Sequence, residues 1–162
     1  MTPDGALWYG LYHLETSYWH DVDSHQGRNA ASFYLEDGVF AIGDNVFRGT
    51  ERISEFYAWR RGHTRATTRH VLSNLMITQA GGREAHAQGL LHFYQAEGQP
   101  PVWESSAAIL VADVINHCVL DDNDVWRFKS HVLRPIFMGN NVPLSLAFDL
   151  TRVAAASTSA AP

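Results

Sequence analysis

Ile109-Leu110-Val111-Ala112-Asp113-Val114-Ile115-Asn116-His117-Cys118-Val119-Leu120, then Asp121-Asp122-Asn123-Asp124, then Val125-Trp126-Arg127-Phe128, is the stretch that decides the fold. Aliphatic and β-branched residues crowd it without helical spacing, and four consecutive Asp or Asn residues reverse the chain. It reads as a hairpin of two long strands, Ser105 to Leu120 and Val125 to Phe137. Upstream, Arg69 to Thr78 and Glu84 to Gln95 form a second pair around Ala80-Gly81-Gly82-Arg83. The loop Glu97-Gly98-Gln99-Pro100-Pro101 joins the two pairs.

Before Thr67 the period is different. Leu7, Trp8, Leu11, Tyr12, Leu14, Tyr18, Trp19 and Val22 recur every three or four residues, which predicts an amphipathic helix from Ala6 to His25, ended by Gly27. A shorter helix is expected over Arg28 to Leu35. Val39 to Gly43 and Val46 to Arg48 form a small hairpin around Asp44-Asn45. A third helix runs from Glu51 to Arg61, with Thr50 as its N-cap candidate and Gly62 as its stop. Three helices followed by a four-strand meander predict an α+β domain. Its mixed, mostly antiparallel sheet curls around the helices into a cone-shaped barrel with an open mouth and an apolar interior. The domain is expected over residues 1–140. Residues 141–162 form an extension whose apolar part, Pro143 to Leu150, suits a lid or a subunit contact, and whose end is frayed.

Composition narrows the function classes. Apolar types make up 46% of the 162 residues and charged types 18%, which excludes a disordered chain. A net charge of −5, with one lysine among twelve basic residues, gives no reason to expect a nucleic-acid partner. With no long apolar run and no signal-like N-terminus, no membrane partner and a cytoplasmic location are expected. The single cysteine, Cys118, excludes a disulfide framework. Nineteen aromatic residues and nine histidines point to a ring-lined pocket with acid–base chemistry.

Tyr18, Asp23 and His70 are the first candidates. Asp23 sits at the edge of the apolar stripe and near a helix C-terminus, where an acid opposes the helix dipole. The bland alternative is that Asp23 and Asp21 are solvated charges, and that His70, beside Arg69, is structural. Asp113 interrupts an apolar strand, so it either lines a pocket or pairs with Arg127 or Arg134. Arg60-Arg61 and Arg65 read as a solvated basic face. No metal is expected: His86 and His92 share a strand face but lie roughly 20 Å apart at six residues, and His20, Asp21 and His25 lack a further ligand. No glycine-rich phosphate loop appears, so no cofactor is expected.

Five motifs carry a resemblance: Tyr18-x4-Asp23, Tyr34-x2-Asp37-Gly38-Val39-Phe40, Gly49-x3-Ile53-x2-Phe56, Thr68-Arg69-His70-x3-Asn74 and Val125-Trp126-Arg127-Phe128. In order and spacing, over residues 6 to 138, the chain resembles the SnoaL-like branch of the nuclear transport factor two-like superfamily. That branch includes scytalone dehydratases and bile acid 7α-dehydratases. The resemblance implies a lyase (dehydratase-like) or isomerase that needs no cofactor and acts on a hydrophobic hydroxy-carbonyl compound, aromatic or polycyclic. Asp23 would orient His70 as general base, and Tyr18 would polarise the carbonyl oxygen. Trp19, Phe56, Asn74, His92, Asp113 and Phe137 are expected to contact the substrate. The superfamily also implies alternatives: a non-catalytic subunit like the small subunit of aromatic-ring dioxygenases, a polyketide-type cyclase, or a carbon–carbon lyase using the same dyad. The strand from Ala107 to Leu120, apolar on both faces, predicts a homo-oligomer, a trimer by analogy or else a dimer.

Overall fold

The structure, a computed structural model, describes residues 5–103 and 107–139. Helix α1 spans Gly5–Ser24 and is followed by a single 3-10 turn, Ala30–Phe33. Strands β1 (Tyr34–Ile42) and β2 (Asn45–Arg48) come next, then helix α2 (Gly49–His63). Four long strands follow: β3 (Thr67–Gly81), β4 (Glu84–Ala96), β5 (Leu110–Leu120) and β6 (Trp126–Met138). One six-stranded sheet contains them all, in the order β2-β1-β6-β5-β4-β3. Only the β1–β6 pair is parallel; every other neighbour is antiparallel. The sheet is curved but does not close into a barrel, since β2 and β3 remain its edges.

Two of the three expected helices form; the one expected over Arg28 to Leu35 does not. The chain there makes one 3-10 turn and enters β1 at Tyr34, five residues before the expected strand start. Pairing decides this: Tyr34 sits in register with Phe128 of β6, and β1 carries an irregularity between Tyr34 and Val39. A short segment with little helix to gain yields to a ladder and a buried ring. Gly62 does not stop α2, which continues to His63. Strand β5 begins at Leu110, later than Ser105. The suggested lid, Pro143 to Leu150, and the frayed end lie outside the described residues.

The core lies between the helices and the concave face of the sheet. Leu11, Leu14, Tyr18, Trp19 and Val22 of α1 and Ile53, Phe56 and Tyr57 of α2 pack on Phe40, Leu91, Phe93, Leu110, Val114 and Phe128. Burial of each large apolar side chain stabilises the fold by about 1.5–3 kcal/mol. The turn after α1 is built to a tight tolerance. Gly27 has φ +69, and a Cβ there would lie 2.2 Å from the Tyr57 ring. The buried Asp21 carboxylate accepts hydrogen bonds from the Asn29 backbone N–H at 3.0 Å and its Nδ2 at 2.9 Å. Asp21 is therefore a clamp on this turn and not a solvated charge.

Candidate active site

Asp23 and His70 meet where the end of α1 crosses the start of β3. His70 Nδ1 lies 2.7 Å from Asp23 Oδ1. The His70 backbone N–H donates to Oδ2 at 2.7 Å, and Thr68 Oγ1 donates to Oδ1 at 2.9 Å. Both side chains are only 8% exposed. Three donors converge on one carboxylate, so its orientation is determined from both oxygens. An ionised carboxylate only accepts, so Nδ1 carries the ring proton and Nε2 the lone pair. No described residue hydrogen-bonds Nε2.

Electrostatics favour the same assignment. Burial pushes the Asp23 carboxyl upward, but the hydrogen bonds and charge of His70, with Thr68, outweigh it and leave the carboxyl below its ordinary value of 3.8. Burial pushes His70 below its ordinary value of 6.5; Asp23 pulls the other way without offsetting it, and Arg60 and His131 add to the depression. The imidazole is neutral at pH 7 and can accept a proton. The free protein's kcat/KM should therefore lose activity on an acid limb that lies below pH 6.5, as His70 gains a proton and ceases to be a base. A pH–rate profile with its acid midpoint above 6.5 would contradict this assignment.

The ring is held as firmly as its proton. Trp19 stacks on one face with centroids 4.3 Å apart and Phe93 on the other at 4.4 Å. Trp19 is itself fixed: its Nε1–H donates to Glu15 Oε2 at 2.8 Å, and Glu15 also accepts from Asn116 Nδ2. Behind this layer, Tyr34 hydrogen-bonds His131 Nδ1 at 2.9 Å. The residues around His70 that leave a gap are Trp19, Val22, Phe40, Phe56, Tyr57 and Arg60, with Ile42, Phe93 and Leu133. That gap is about 20 Å³, room for one water. His70 also borders an open groove of about 530 Å³, together with Tyr12, Trp19, Asp23 and Leu72.

Tyr18 is fully buried, and its hydroxyl hydrogen-bonds that of Tyr57. It does not line the gap beside His70, whereas Tyr57 does. Burial raises the Tyr18 hydroxyl well above its ordinary value and pushes Tyr57 up to about 12, so both are protonated donors at neutral pH.

The other expected contacts divide. Trp19 and Phe56 line the gap. His92 does not: it sits on the opposite face of β4 from Leu91 and Phe93, and Phe93 is the residue paired with His70. A one-residue difference in register moves a side chain to the other face of a sheet. Asp113 lies on the outer face and pairs with Arg134, at 2.5 Å from Nη2 and 3.1 Å from Nε. The ion-pair reading of Asp113 holds, and it is no pocket residue. Asn74 is exposed at an irregularity of β3 with φ +54, and Phe137 is 69% exposed near the end of β6. Tyr57, which lines the gap, and the supporting residues Glu15, Asn116 and His131 behind Trp19 are not among the residues expected from the sequence. An acid inside the apolar stripe of α1 is the signal that could have found Glu15.

The SnoaL-like domain family model matches residues 11–132, and the chain belongs to this family. No curated protein sequence matches it. Among solved structures, a protein from Novosphingobium aromaticivorans, provisionally assigned as a scytalone dehydratase, is similar with a TM-score of 0.73 and 18% identity, covering 85% of this chain and 89% of that one. The beta subunit of a provisionally assigned aromatic-ring-hydroxylating dioxygenase from the same organism gives a TM-score of 0.71 at 12% identity, covering 83% and 92%. A protein of unknown function from Mycobacterium tuberculosis gives 0.71 at 18%, covering 96% and 94%. At these identities the likeness establishes the fold alone. Among the described residues no helix is long and apolar enough to cross a membrane.

Proposed function

We propose that the chain is a lyase (dehydratase-like) or isomerase that acts without a cofactor on a hydrophobic hydroxy-carbonyl compound, aromatic or polycyclic. The observation that carries this reading is the His70 ring, bound through Nδ1 to Asp23 and clamped between the planes of Trp19 and Phe93, with no described residue on Nε2. Nε2 takes the proton from the carbon next to the substrate carbonyl. The carbonyl oxygen gains the negative charge, and Tyr57, backed by Tyr18, donates to it. Collapse of the enolate expels the β-hydroxyl, to which the His70 imidazolium returns the proton, releasing water. Isomerisation uses the same first step, with the proton returned to another carbon. The likeness to a dioxygenase beta subunit supports a non-catalytic alternative, but a purely structural subunit gains nothing from an oriented, buried Asp–His pair.

The test is a panel of aromatic β-hydroxy ketones, incubated with the protein in the presence of a chelator and followed by absorbance of the enone product. The wild type is expected to accelerate elimination and His70→Gln not to. Equal rates in the two proteins, or activity that the chelator abolishes and one ion restores, would overturn the reading.

The same chain is proposed to assemble with copies of itself through the convex face of the sheet. Val71, Met76 and Ile136 are exposed, and Val111 and Ile115 half-buried, although they belong to strands whose other face is core. Light scattering at micromolar concentration is expected to give a trimer or dimer. A particle of 18.1 kDa would refute it.

A further inference from the structure

Five of the eleven arginines line one groove beside the dyad: Arg28 after α1, Arg60 and Arg61 at the end of α2, Arg65 in the following turn and Arg69 in β3. The groove has a volume of about 480 Å³, the size of a small-molecule site. Asp23 is the one carboxylate in its wall, and both of its oxygens are already engaged by Thr68 and His70. None of the five arginines has a carboxylate partner among the described residues. By contrast Arg52, Arg83, Arg127 and Arg134 each pair with an acid. In the groove the polar contacts are with backbone only: Arg61 Nη1 donates to the Gln26 carbonyl and Arg69 Nη1 to the Thr68 carbonyl.

This concentration of charge does not follow from folding. Gathering five guanidinium groups into one concavity costs mutual repulsion, and a chain of net charge −5 has acids available to offset it. Arg60 is the strongest sign. It is only 9% exposed, its guanidinium has no hydrogen-bond or ion-pair partner among the described residues, and it lines both the groove and the gap that contains His70. With no partner among those residues, its nitrogens are not sealed in the core and open onto the groove. Read along the chain, Arg60-Arg61 and Arg65 look like a solvated face. Folding instead brings Arg28 and Arg69 to the same place from two other elements.

We infer that this groove binds an anionic group, carboxylate or phosphoryl, carried by the substrate, with Arg60 as its inner contact and Arg65 and Arg69 at its rim. The term substrate rests on the reading proposed above; the anion site itself does not. A planar guanidinium fork matches two oxygens of either anion. Seated there, the anion places the rest of its molecule toward His70, since Val22 and Arg60 line both the groove and the gap that contains His70. A long polyanion is a poor occupant, because the remainder of the chain is acidic.

Phenylacetate, phenyl phosphate and neutral phenylacetamide are suitable probes, titrated into the full chain while the arginine Nε–Hε resonances are followed by NMR. At least one of the two anions is expected to shift and saturate the Arg60 signal, and the tighter one identifies the group. Phenylacetamide should bind about 10- to 100-fold more weakly than that anion. Arg60→Gln should weaken the anion by a similar factor, and higher salt should weaken it further. Arg65→Gln, at an exposed position, should lower affinity without disturbing the fold. Equal binding of the amide, or anion affinity unchanged in both Arg60→Gln and Arg65→Gln, would overturn the inference. His70→Gln separates the two readings: it should retain anion binding even if the dyad performs no catalysis.

Discussion

Replacing His70 with alanine is expected to lower turnover by about 10²–10⁴-fold, the usual contribution of a positioned general base. The physical basis is that no other group can take its place. Nε2 of His70 is a basic nitrogen that no described residue hydrogen-bonds; Asp23 is committed to three hydrogen bonds, and Tyr18 and Tyr57 are protonated at neutral pH. The variant also removes the ring between Trp19 and Phe93, so some stability is lost with it. Far-UV circular dichroism and thermal melting separate that loss from the chemical one. His70→Gln fills more of the space and should retain more stability while regaining no activity. Full turnover in a folded His70→Ala protein would place the base elsewhere.

Asp23→Asn is expected to be nearly as damaging, for a different reason. An asparagine retains an acceptor for Thr68 or for the His70 backbone N–H, so the turn and the strand start should remain in place. Its amide nitrogen, however, can donate to Nδ1. That stabilises the tautomer with the proton on Nε2, and the face presented to the substrate then no longer accepts a proton. The imidazolium formed after proton abstraction also loses its counter-charge. Turnover should fall by about 10²–10⁴-fold while substrate affinity changes little, since Asp23 supports His70 and the substrate need not touch it. The histidine's titration supplies a second readout: without the carboxylate, which raises it, the His70 midpoint should move further down. A kcat near wild type with only KM altered would show that Asp23 is a binding residue and not the orienting one.

The sequence by itself determined the parts of this protein that depend on local periodicity and turn chemistry. The apolar spacing of α1, the Asp121 to Asp124 reversal and the alternating strands need only neighbours in the chain, and α1, β4, β6 and the Asp121 to Asp124 turn appear within a residue or so of their expected limits. Asp23 and His70 were legible as well, because their spacing within a known family is a one-dimensional property. What only the tertiary structure decided depends on which distant residues become neighbours. Tyr34 joins a strand because Phe128 pairs with it, ninety-four positions away in the chain and against a weak local preference for helix. Phe93, and not His92, covers His70 because strand register assigns faces in steps of one residue. Asp113 is satisfied by Arg134 across a ladder, and Tyr57 comes to the gap because α2 packs on β1 and the 3-10 turn. The groove of arginines is the clearest case: three of its five charges are close in sequence and look like solvent-facing basic residues. Their meaning changes when the end of α1 and the start of β3 bring two more and supply no free acid, because electrostatic energy depends on separation in space and not along the chain.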